Sequence, residues 1–111
     1  MLVKHIYNWI LSFLFEKQKR FKWEIVSELP EKPDEYILYI EGNFKEEDFW
    51  YASLKCPCDC GDIIMLNLMT DTKPSWNVNI ENKNPSVYPS IWRTKNCKSH
   101  FWIKDGKLVW A

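Results

Sequence analysis

Apolar and polar residues alternate in short runs through most of this chain. Candidate strands follow at Lys22–Val26, Tyr36–Ile40, Phe49–Leu54, Ile63–Leu68, Trp76–Ile80, Ser86–Trp92, Phe101–Lys104 and Lys107–Trp110. Breaks rich in Pro, Gly and Asn separate several of them, among them Leu29-Pro30-Glu31-Lys32-Pro33 and Glu41-Gly42-Asn43. Asp105-Gly106 between the last two runs is a strong hairpin signal, and Pro89 places the Ser86–Trp92 run at an edge or a bulge.

The first residues follow another period. Ile6 to Phe15 is nearly all apolar, while Lys4, Asn8, Ser12 and Glu16 recur every fourth position and line one stripe of a helix. The pattern predicts an α+β fold and a single domain over 1–111. An amphipathic helix over 1–20 would precede a β-rich unit over 22–111, a small antiparallel sheet or partly open barrel.

A chain of 111 residues and 13.4 kDa suits one compact domain. Fifteen basic and fifteen acidic residues give zero formal charge, which argues against nucleic-acid binding. Lys17, Lys19, Arg20 and Lys22 suit the C-terminal end of the predicted helix dipole and need no polyanion to explain them. The apolar stretch is shorter than the ~20 residues of a transmembrane helix, and no small-residue cleavage site follows it, so a cytoplasmic, reducing setting is expected.

In that setting clustered cysteines point to metal more than to disulfides. Cys56-Pro57-Cys58-Asp59-Cys60-Gly61 and Cys97-Lys98-Ser99-His100 offer five candidates for the four positions of a tetrahedral zinc: Cys56, Cys58, Cys60, Cys97 and His100. A closed, structural site is expected, one that staples the loop after one strand to the loop before another. The bland alternative is four reduced thiols packed as small apolar side chains.

If the cysteines take the metal, His100 is free to act as a base and Ser90 is a candidate nucleophile across neighbouring strands. Asp59, Asp62 or Asn67 would then orient the imidazole. Ser99 is a poor partner, since neighbouring residues of a strand face opposite ways. The competing reading makes His100 a zinc ligand or a satisfied strand-start histidine. Trp92, Phe101, Trp102 and Trp110 read as core aromatics.

CPCDCGDIIMLNL, PSWNVNI and PSIWRTKNCKSHFWIKDGKLVW, over about residues 50–110, resemble the small bacterial BubE-type family. The resemblance implies a protein encoded beside ubiquitin-like modifiers and their activating and conjugating enzymes, acting as a peptidase that processes or removes the modifier. It implies zinc ligands among Cys56, Cys58, Cys60 and Cys97, with His100 as base and Ser90 as nucleophile. Asp59 stands where the family pattern has glycine, which leaves every candidate ligand in place. The alternative function is a non-catalytic zinc-stabilised adaptor that binds the modifier or its conjugation enzymes, through the N-terminal helix.

Overall fold

A computed structural model describes residues 20–94 and 96–111. Its strands are β1 (Lys22–Val26), β2 (Ile37–Asn43), β3 (Asp48–Lys55), β4 (Ile63–Asn67), β5 (Asn77–Glu81), β6 (Asn84–Trp92), β7 (His100–Lys104) and β8 (Lys107–Trp110). They form two four-stranded sheets, ordered β1-β2-β3-β4 and β5-β6-β7-β8.

This corrects the α+β expectation. The described residues hold two sheets and no helix, so the fold is all-β. The helix expected over 1–20 lies outside the described residues except for Arg20, which bridges Lys107. Nor do the described residues form one antiparallel sheet or a barrel. β1 pairs with β2 in parallel, Lys22 opposite Ile37, because residues 27–36 carry the chain back along the length of β1 before β2 begins. Alternation sets which face a side chain takes, but not which strand lies beside it.

Inward-facing residues of both sheets share one core. Leu38, Ile40, Ala52, Leu54, Ile64 and Leu66 come from the first sheet, and Val87, Ile91, Phe101 and Ile103 from the second. Phe21 joins them from the lead-in to β1, where its N–H donates to the Gly106 carbonyl at 2.6 Å. Each large aliphatic side chain removed from water here contributes about 1.5–3 kcal/mol.

Two turns give the second sheet its form. The β7–β8 hairpin turns at Asp105 and Gly106, both at positive φ (49° and 77°), which matches the type I′ geometry expected of an Asp-Gly pair. The β5–β6 hairpin turns at Asn82 and Lys83, also both at positive φ (50° and 64°), without a glycine to announce it. In the first sheet, Gly42 of β2 faces a bulge at Trp50 of β3, its backbone so close to Asp48 and Phe49 that a Cβ would collide with both.

Candidate active site and metal centre

The candidate site residues lie on β6 and β7, on the turn before β7 and on the loop after β3. Val87 pairs with Ile103 and Ile91 with Phe101, so residues 88–90 together face residue 102 across the ladder. This is the irregularity anticipated at Pro89, and the cis Tyr88–Pro89 bond lies inside it. Ile91 and Phe101 point into the core, which turns their neighbours Ser90, Trp92 and His100 to the outer face.

There Ser90 Oγ lies 2.8 Å from His100 Nε2, within hydrogen-bond range. The imidazole stacks on the Trp92 indole, with ring centroids 5.2 Å apart and planes at 18°. The Trp76 indole N–H donates to the Ser90 carbonyl at 3.3 Å and fixes the backbone of that residue.

Among the described residues, no carboxylate or amide bonds to the His100 ring. Asp62 instead accepts from Arg93 Nη2 at 3.2 Å and from Asn96 Nδ2 at 2.8 Å. Asn67 serves its own loop, donating to the carbonyls of Met69, Thr72 and Pro74.

The four cysteine sulfurs lie within 4.8 Å of one another, an arrangement that can hold a metal ion. Cys56 to Cys60 follow β3 and Cys97 precedes β7, so the cluster ties one sheet to the other as the spacing suggested. The cluster does not include His100. Gly61, at φ 82°, and Asp59, at φ 67°, supply the left-handed backbone that folds the first three thiols together.

Ser99 serves this cluster, not His100: its hydroxyl donates to Cys97 Sγ at 3.2 Å and lies 3.9 Å from Cys56 Sγ. That hydroxyl draws the Cys97 thiol down to about 6, while burial pushes the Cys56 thiol up to about 12. To ligate, the four sulfurs must act as thiolates, and a bound dication supplies the counter-charge that allows it. Four sulfur donors and no oxygen make a soft, closed set that fits zinc chemistry.

The match to a family model covers residues 25–111, and its description is "Bacterial ubiquitination-like system serine protease (BubE)". The chain belongs to the BubE family. No curated protein and no solved structure matches it. Among the described residues no helix is long and apolar enough to cross a membrane.

Within this BubE chain, sequence reasoning overlooked Trp76 and misjudged the aromatic run. Phe101 is buried, but Trp92 and Trp110 are exposed and Trp102 half-buried, with Lys104 Nζ 4.8 Å above its ring. Alternation against the inward-facing Ile91 and Phe101 was the available signal that Trp92 and Trp102 face out. Ser99 had no such signal, since Cys97 lies in a turn and Lys98 takes φ 53°, where strand alternation does not apply.

Proposed function

We propose that this chain is a serine peptidase that cleaves a ubiquitin-like protein, with Ser90 as nucleophile and His100 as general base. A zinc ion held by Cys56, Cys58, Cys60 and Cys97 would staple the scaffold beneath them. The observation that carries the reading is the 2.8 Å approach of Ser90 Oγ to His100 Nε2, in a chain of the BubE family.

In this mechanism Ser90 Oγ attacks the scissile carbonyl carbon as its proton passes to His100 Nε2. The imidazolium returns that proton to the departing nitrogen as the C–N bond breaks, and a water activated by the same base hydrolyses the acyl ester. His100 must therefore enter the reaction with Nε2 unprotonated and its proton on Nδ1. The stack on Trp92 restrains the ring in place of an acidic partner. When bound, the zinc would supply structural cross-linking and take no part in proton transfer.

The adaptor reading drew its strength from His100 as a metal ligand. A cluster of four cysteines complete without that histidine favours the peptidase. The modifier and its conjugation enzymes are the proposed partners, and a reducing cytoplasm the proposed setting, in keeping with four free thiols.

The test is cleavage of a ubiquitin-like precursor by Ser90→Ala and His100→Ala proteins, alongside their zinc content. Both variants are expected to lose cleavage and keep one zinc per chain. Undiminished cleavage by Ser90→Ala contradicts the nucleophile, and zinc lost from His100→Ala contradicts the four-cysteine site.

A further inference from the structure

Beside the Ser90–His100 pair runs a slot of about 330 Å³ between the two sheets, walled by Ile63 to Leu66 of β4 and by Ile91 to Thr94 at the end of β6. Both walls are free strand edges. β4 is the last strand of its sheet, and β5 accompanies β6 only as far as Tyr88.

The hydrogen-bond phase shows which backbone groups face the slot. Cys56 N–H donates to the Asp62 carbonyl at 2.8 Å and Leu68 N–H to the Trp50 carbonyl at 2.9 Å. Bonded pairs alternate along an antiparallel ladder, so Ile64 and Leu66 bond to β3 while Ile63, Met65 and Asn67 turn their N–H and C=O outward. The Asn67 carbonyl is already taken, by Trp76 N–H at 2.8 Å. On the other wall Arg93 N–H donates to the Ser99 carbonyl at 2.7 Å, which places Trp92 in a non-bonded pair with His100 and turns its N–H and C=O away from β7.

Large apolar side chains rim the same slot: Ile63 is 47% exposed, Met65 60% and Trp92 66%. Exposed apolar residues gathered around unpaired backbone are the mark of a surface that is covered in use.

We infer that this slot receives the extended tail of the ubiquitin-like substrate, which adds a strand to β4 and leads the scissile bond to Ser90. The inference rests on the peptidase reading. Three features select a single extended segment. Backbone donors and acceptors line both walls, so the occupant must offer its own backbone on both sides, as a strand does. The slot lies between two edges, where a lone strand enters but a strand inside another intact sheet is blocked by the opposite wall. The slot also joins the reaction centre, since Trp92 stacks on His100 and Trp76, another wall residue, bonds to the Ser90 carbonyl.

The test is amide exchange, read residue by residue in the Ser90→Ala protein with a ubiquitin-like precursor as the probe. On binding, exchange at Ile63, Met65 and Trp92 is expected to slow at least about tenfold, while Ile64 and Leu66, already bonded to β3, stay unchanged. Met65→Pro removes one outward N–H without touching the β3 ladder, and in the active protein should lower kcat/KM at least about tenfold, with Met65→Leu, which keeps that N–H, losing much less.

Precursor binding without slowed exchange at those three amides overturns the slot while leaving the peptidase reading in place. Slowed exchange without precursor, growing with protein concentration, overturns it in favour of a second copy of this chain. Neither binding by Ser90→Ala nor cleavage by wild type overturns the peptidase reading and the slot with it.

Discussion

Trp92 lies flat against the imidazole of His100, with centroids 5.2 Å apart, although its side chain is otherwise largely open to solvent. An exposed tryptophan placed over a candidate base restrains that base, and a stack of this kind contributes about 0.5–1.5 kcal/mol. Trp92→Ala should therefore lower kcat about three- to tenfold, with Trp92→Phe recovering most of the loss and the melting temperature little changed. Steady-state kinetics separate this from a purely structural role: unaltered kcat in Trp92→Ala would show that the stack does not orient the ring.

The metal cluster gives a second expectation. Cys97 is its link to the second sheet, and Cys97→Ser should lose most of the bound zinc and lower the melting temperature by about 10 °C or more. Treating wild type with a strong chelator should have the same effect. Zinc content by elemental analysis and a thermal melt check both, and a melting temperature indifferent to chelation would contradict a structural metal.

Asp62 connects the metal loop to the end of β6. It accepts from Arg93, whose side chain is only 18% exposed, and from Asn96 beside Cys97. Asp62→Ala leaves a largely buried guanidinium without its partner and loosens the loop that presents Cys97. A stability loss of about 2 kcal/mol and about tenfold weaker zinc binding are expected, measured by denaturation and by competition with a chromogenic chelator. Wild-type values for both would show that this bridge is incidental.

Gly106 closes the β7–β8 hairpin at φ 77°, and a Cβ there would meet the Phe21 carbonyl at 3.1 Å. Gly106→Ala combines left-handed backbone with a tight contact and should cost about 1–2 kcal/mol, a drop of about 4–10 °C in melting temperature. An unchanged melt would mean the turn relaxes elsewhere.

Much of this architecture was readable as sequence, and its gaps have physical causes. β1 and β8 begin and end where alternation places them, and Asp105-Gly106 marks its hairpin because both residues tolerate positive φ. The Asn82-Lys83 turn does the same work with a lysine, which carries no such signal. Parallel pairing of β1 with β2 was invisible because a strand's face pattern is the same whichever neighbour it takes. The period-four stripe from Lys4 to Glu16 led to an α+β reading, whereas the described residues are all-β.

The site was legible unevenly. Cys56, Cys58, Cys60 and Cys97 announce a metal cluster by spacing, but five candidate ligands could not be reduced to four until the sulfurs were seen to gather without His100. Ser90 and His100 stand ten residues apart in sequence, and the register that sets Ile91 opposite Phe101 and Trp92 opposite His100 makes them diagonal neighbours on one face.

The most direct test of the central claim is covalent labelling with a fluorophosphonate, which reacts with an activated serine, followed by peptide mapping by mass spectrometry. One adduct per chain at Ser90, lost in His100→Ala while that variant keeps its zinc, is the predicted result. An adduct at another serine, or labelling of Ser90 that persists without His100, would contradict the Ser90–His100 pair as the reaction centre.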